Sequence, residues 1–319
     1  MKTQPEIEVK LAAADAAPAG DPGRICSAGA ILRERLRSQL KEVLEGDPLV
    51  RREEPESMHQ MRVAIRRLGS AVATYRALLD PRRSDEIRAE LRWLAGLLGA
   101  ARDAEVMRLR LTQLVAQEPE ALRDVVAIAR LDADREVAYR RACGEVQEAL
   151  DSTRYLRLLG ALDAIVGDPG PVVEPGPQLA AVVLAAGVRR EARRLARSVR
   201  RALAAAPGPG RDALLHEARK DAKRTRYAAE TAEPAVGRRA ARYARSVEEL
   251  QTLLGDHHDT VELRALLERV SGAARSAGED TFLYGRWHAI EQGRAERDEA
   301  ALLAAWTPIR AGRRRRWLR

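Results

Sequence analysis

The chain has 319 residues, 45% hydrophobic and 32% charged, with a formal net charge of +9 and a pI near 10.0. That apolar content can bury a sizeable core, so a globular protein is the default, and the basic balance predicts attraction to polyanions such as nucleic acid, an anionic lipid surface or polyphosphate. Aromatic residues are only 3%, which argues against a single-stranded nucleic-acid binder that stacks bases on rings, although duplex binding through phosphates stays open.

Residues 1–27 read as a flexible N-terminal segment. Its opening, MKTQPEIEVKLAAADAA, is acidic where a secretory leader is basic and then apolar, and no later run is long enough to cross a bilayer. A cytoplasmic protein without membrane insertion is therefore expected. From Ala28 onward, apolar residues recur at three- and four-residue spacing in Ala/Leu/Arg/Glu-rich stretches, which predicts helices throughout and no strand. The first carries Arg33 and Arg37 in ILRERLRSQL, and Gly46-Asp47-Pro48 is predicted to end it. MHQMRVAIRRL follows, from Met58 to Leu68, and further junctions are expected at Asp80-Pro81 and Glu118-Pro119. Between those two lies LGAARDAEVM, beginning at Leu98. The strongest break is GDPGPVVEPGP, a Pro/Gly linker over 167–177 that separates a first unit, 28–166, from a second, 178–304. The second unit begins with VRREARRLARSVRR, which contains Arg190 and Arg194. It passes a junction at APGPG, residues 206–210, and continues through LHEARKDAKRT, from Leu215, and LGDHHDTVEL, from Leu254. Residues 305–319 read as a basic tail with RRRR before Trp317. Cys26 and Cys143 fall in no CxxC or Cys/His spacing, against a disulfide framework or a structural zinc.

The two units match each other. His59, Arg62, Arg66 and Arg67 align with His216, Arg219, Lys223 and Arg224, and at nearly the same offset Leu98, Gly99 and Asp103 align with Leu254, Gly255 and Asp259. Two matches in one register point to a duplicated helical unit. The expected fold is all-α, with two pseudo-symmetric repeated helical bundles of four-helix type and long antiparallel helices.

At about 100° per residue, His59, Arg62 and Arg66 share one stripe with Arg67 beside it, while Met61, Ile65, Leu68 and Val72 lie opposite. In the second unit His216, Arg219, Lys220, Lys223 and Arg226 share an arc opposite Ala218, Ala222, Thr225 and Ala229. A row of like charges is unfavourable unless an anion faces it. The bland alternative is neutralisation by Glu54, Glu56, Glu217, Asp221 or Glu230 in solvated ion pairs. Recurrence of the row with a His at the same place favours the anion. Arg offers a rigid fork to neighbouring oxygens and Lys a mobile point charge, a set suited to phosphates without bases.

These residues resemble the CHAD family, the conserved-histidine α-helical domain, through HxxRVxxRRL from His59 and HxxRKxxKRxRY from His216 to Tyr227, with LGxxxD elements ending at Asp103 and Asp259. The likeness covers about 28–304. It implies basic helix faces lining a shared pocket or channel, inorganic polyphosphate as the partner, association with polyphosphate granules, no cofactor and no catalysis. The binding residues carried over are His59, Arg62, Arg66 and Arg67 in the first half and His216, Arg219, Lys220, Lys223, Arg224 and Arg226 in the second. Arg33 and Arg37, matched with Arg190 and Arg194, join them from the upstream helices. Gly69 stands where a further cation is expected, so the first half should grip its ligand less firmly. Glu6, Glu8 and Lys10 form the ExExK pattern that begins the CYTH triphosphate tunnel enzymes, either a remnant or a chance match, since no tunnel strands follow. Asp256, His257, His258 and Asp259 offer metal-type donors, but His288 is the one other uncommitted histidine, so a metal phosphohydrolase is disfavoured. A nucleic-acid-binding or architectural protein is the alternative reading.

Overall fold

Ser27 opens the first helix by accepting the Ala30 amide on its hydroxyl at 3.1 Å, which satisfies one of the donors a helix start leaves over. The computed structural model describes residues 27–168, 177–310 and 316–318, and those residues hold nine α-helices. They are α1 (Ala28–Arg51), α2 (Ser57–Thr74), α3 (Pro81–Gln117), α4 (Val125–Asp151), α5 (Thr153–Gly167), α6 (Pro177–Ala204), α7 (Pro209–Val236), α8 (Arg238–Ser276) and α9 (Phe282–Arg310). No strand occurs among the described residues, as the helical spacing required. Glu6, Glu8 and Lys10, Cys26 and most of the expected linker lie outside the described residues. Cys143 is a buried free thiol. No helix described is long and apolar enough to cross a membrane.

Three expected junctions are present and chemically explicit. Asp80 caps α3 through the Arg83 amide at 2.9 Å, with Pro81 in the first turn where its missing N–H costs nothing. α3 ends before Glu118-Pro119, and α7 begins at Pro209. The junction expected at Gly46-Asp47-Pro48 is absent: α1 runs through Pro48 to Arg51. Proline so close to a helix end removes a single backbone bond, and Arg51 repays it by donating to Asp47 and to the Leu150 carbonyl. The real turn follows, with Glu53 and Glu56 in the left-handed region at φ 54° and 61°.

Consecutive helices pack on one another within each half, and the halves meet where α1 and α2 pack against α6 and α7. The apolar clusters do not divide at the linker. The larger joins Leu36, Leu68, Leu94 and Leu162 to Leu195, Ala222 and Leu250. A distal cluster joins Leu111 and Leu114 of α3, Leu131 of α4, Leu263 and Leu267 of α8, and Trp287 of α9. Helices of 37 and 39 residues, α3 and α8, span roughly 55–58 Å and so run through both clusters. The boundary drawn at residue 304 falls inside α9, whose Trp306 and Ile309 are buried with Leu318 in the larger cluster.

One close approach fixes the geometry around the basic rows. Tyr75, just after α2, is buried and donates its hydroxyl to the Ala228 carbonyl of α7 at 2.9 Å. Its ring lies against Gly187 of α6 so closely that a Cβ there would stand 3.0 Å from Cζ. Arg190 then donates to the Thr74 carbonyl at 2.7 Å, an acceptor left over at the end of α2. Together these contacts hold α2, α6 and α7 around one space.

Candidate anion-binding site

Burial of Met61, Ile65, Leu68 and Val72 turns the other face of α2 toward that space, and burial of Ala218, Ala222, Thr225 and Ala229 does the same for α7. A cavity of about 800 Å³ opens there, walled by α2, α3, α6 and α7. Of its 21 lining residues, eleven are Arg or Lys and one, Glu191, is acidic. This imbalance separates the cavity from an ordinary solvated helix face, where opposite charges alternate. Arg66, Lys220, Lys223 and Arg224 come from the motif helices, and Arg190 and Arg194 from the upstream helix of the second half. Arg76, Arg88, Arg92, Arg193 and Arg197 also line it and were not singled out from sequence. Their one signal is the four-residue spacing of Arg88 with Arg92 and of Arg193 with Arg197, which any basic helix surface also shows. Gly69 lines the wall and adds no charge.

Beneath the cavity, Arg62 and Arg219 reach the LGxxxD elements. Arg62 pairs with Asp103 at 3.3 Å and Arg219 with Asp259 at 3.9 Å. Gly99 and Gly255 lie against these two guanidinium groups, where an added Cβ would meet them at 3.9 and 3.8 Å. The LGxxxD spacing thus places a glycine and an aspartate beside a motif arginine in each half. Arg62, Arg66, Arg219 and Lys223 influence one another electrostatically, and burial pushes Lys223 down to about 6, assisted by Arg66, Arg219 and Arg62 and opposed by Asp103. Burial also lowers Arg66 and Arg219. The Nε atoms of Arg62 and Arg219 are buried with no hydrogen-bond partner among the described residues, and unsatisfied buried donors cost about 1–3 kcal/mol each. The cluster thus gathers partly buried basic groups and unpartnered donor atoms in one place.

The histidines adjoin this cluster. His59 Nδ1 is buried with no hydrogen-bond partner among the described residues, and burial, then Arg102, holds its pKa below the usual imidazole value. His216 Nδ1 lies 3.1 Å from His258 Nδ1, with ring centroids 4.3 Å apart. His258 is pushed down to about 3 by burial, then by Arg219 and His216. One ring must donate Nδ1–H to the lone pair of the other. His258 of GDHHD therefore belongs to the basic cluster.

Other predicted residues are placed elsewhere. Arg67 and Arg226 converge on Glu230, at 3.5 and 2.8 Å, together with Arg35 at 2.8 Å. Arg226 also pairs with Glu248 at 2.9 Å, and both motif arginines approach the Tyr227 ring at 5.8 and 5.9 Å. The neutralisation weighed from sequence holds at this edge of the rows. Arg37 pairs with Glu34 on an exposed face at 2.6 Å, and neither it nor Arg33 lines the cavity that Arg190 and Arg194 line. Replacing Glu230 with Gln leaves three arginines without their shared counter-charge and is expected to destabilise the fold by ~2 kcal/mol. Urea unfolding should read that loss, with anion binding in the cavity undiminished.

His257 faces away from the cluster and is buried between Asp212 at 3.5 Å and Glu299 at 3.4 Å. These three offer donor atoms within 4.8 Å of one another, and the sequence reading did not foresee Asp212 or Glu299. Arg264 pairs with Asp212 at 3.4 Å and Arg211 with Glu299 at 3.1 Å. Two carboxylates balanced by two guanidinium groups leave no net negative charge to draw a cation, so the geometry reads as an ion network locking α7, α8 and α9. His288 pairs with Glu268 at 3.0 Å on the surface.

Comparison with known proteins gives a consistent answer. A family described as the CHAD domain matches residues 34–268. Two uncharacterised proteins of Mycobacterium tuberculosis, from strains CDC 1551 / Oshkosh and ATCC 25618 / H37Rv, are each 38% identical over 268 residues, covering 84% of this chain. The match takes in 50% of each relative, so the chain spans about half the length of the curated relatives it matches. Among solved structures, PptA from Streptomyces chartreusis has a TM-score of 0.70 at 24% identity, over 88% of this chain and 99% of its own. The CHAD domain from the plant Ricinus communis has a TM-score of 0.69 at 23% identity, over 93% and 97%. At those identities the likeness is one of fold.

Proposed function

The chain belongs to the CHAD family, and on that premise we propose that it binds inorganic polyphosphate in the cavity between α2, α3, α6 and α7 without performing chemistry on it. The observation that carries this reading is the lining of eleven Arg and Lys side chains against one carboxylate. That carboxylate, Glu191, is already 3.7 Å from Arg194. Each internal phosphate of the polymer carries one charge and two free oxygens, which match the Arg forks and the mobile ammonium of Lys223. Tyr227 is the one aromatic residue on the wall, so bases would find little to stack on. Hydrolysis needs an activated water or a nucleophile with its base, and the wall supplies cations instead. Residues that hold without cleaving suit a protein that attaches to polyphosphate granules.

Calorimetric titration of the full chain with long-chain polyphosphate at near-physiological salt, repeated with duplex DNA at equal phosphate concentration, separates the two polyanions. The expected result is tight binding that DNA fails to displace. Equal displacement per phosphate would make the charge nonspecific and favour the nucleic-acid reading, because both ligands bind salt-sensitively.

A further inference from the structure

Resting on the reading of the cavity as a polyphosphate site, we propose that a second groove on the outer face of α6 continues that site and binds the part of a long chain that the cavity cannot hold. The groove has a volume of about 440 Å³ and is lined by Arg193, Ala196, Arg197, Arg200, Trp306 and Arg310. Arg193 and Arg197 also line the main cavity, so the two spaces share a wall. From Arg193 to Arg200 the helix advances roughly 10 Å, placing further cations beyond the end of the cavity. The strand has a marked track along α6.

Among the described residues, this face carries cations that the protein's own carboxylates leave unpaired and that adjoin the main cavity. On α4, by contrast, Arg140 meets Glu136 and Arg141 meets Glu145. Between residues 189 and 201 the one carboxylate is Glu191, which serves Arg194. Among the described residues, Arg193, Arg197, Arg200 and Arg310 have no ion-pair partner, and all four are exposed. Arg200 donates Nε to the Ala196 carbonyl at 3.1 Å, which orients its guanidinium along the helix. Trp306 is buried in the larger apolar cluster and anchors the last turns of α9 that present Arg310. Four unpaired guanidinium groups on a fixed floor, with no base-stacking ring exposed, match a run of linked phosphates.

A chain engaging both spaces gains from the second contact as an intramolecular event. The test compares tripolyphosphate, short enough for the cavity, with long-chain polyphosphate. Both are titrated into the wild-type chain, the Arg200→Gln/Arg310→Gln variant, and an Arg140→Gln/Arg141→Gln control with the same change of net charge on α4. The expected result is about tenfold weaker binding of the long chain in the α6/α9 variant alone, with tripolyphosphate unchanged in every protein. Equal weakening of both ligands, an equal effect in the α4 control, or unchanged long-chain binding would overturn the continuation. Failure of the wild-type chain to bind either ligand would instead overturn the cavity reading itself.

Discussion

Replacing Lys223 with Glu is expected to weaken polyphosphate binding by more than about 100-fold while leaving the fold at least as stable as the wild type. The loss of one charge-assisted hydrogen bond to phosphate costs about 1.5–3 kcal/mol, and the new carboxylate repels the ligand besides. Each 1.4 kcal/mol is tenfold in affinity. Stability moves the other way because Lys223 is buried beside Arg66, Arg219 and Arg62, which disfavour its charge. A carboxylate in that place meets three guanidinium groups instead of opposing them. Lys223→Met, similar in volume and uncharged, should raise the unfolding temperature and weaken binding by about tenfold. Such opposition between stability and affinity marks residues kept for a ligand rather than for the fold. Calorimetry and thermal unfolding on the same samples read both quantities. Unchanged affinity would remove Lys223 from the site, and a lower unfolding temperature in both variants would make it a structural residue.

How far the sequence reaches toward this site depends on the kind of physics each residue obeys. The faces of α2 and α7 were legible because burial imposes a helical period: Met61, Ile65, Leu68 and Val72 had to lie inside, which left Arg62 and Arg66 outside the core. One matched spacing has a contact behind it as well: Gly99 lies against Arg62 and Gly255 against Arg219. What a charged residue faces across space follows no such period. Arg67 lies one residue beyond Arg66 and yet turns to Glu230, a partner set by the packing of α2 on α7. Asp212 and Glu299 reach His257 from α7 and α9, separations that no local spacing encodes. Junctions without Pro or Gly were equally silent. Ser152 starts α5 by accepting the Tyr155 amide at 3.2 Å, and a serine among helical residues gives little warning of it.

Binding is expected to tighten as pH falls from about 9 toward about 6, with a slope of up to about tenfold per pH unit, and more gradually below that, where only histidines remain to take up protons. The group responsible is Lys223, held down at about 6 in the free protein by burial, then by Arg66, Arg219 and Arg62, with Asp103 opposing. Phosphate oxygens placed against its ammonium raise that value, so between the free and bound values binding takes up a proton, and acid drives it. The unliganded fold responds with the opposite sign. Its Lys223 binds fewer protons than the unfolded chain between about 6 and the ordinary lysine value of 10.5, so stability rises with pH across that window. His59, His216 and His258 lie below the usual imidazole value and add proton uptake at the acid end. Internal phosphates of a long chain stay singly charged throughout, which confines the effect to the protein. Titrations in two buffers of different ionisation enthalpy would count the protons directly. Lys223→Arg keeps the cation at every pH, and it should bind as the wild type does near pH 6 and more tightly near pH 9. If that variant follows the wild-type profile instead, the pH dependence belongs to the histidines, and Lys223 is charged before the ligand arrives.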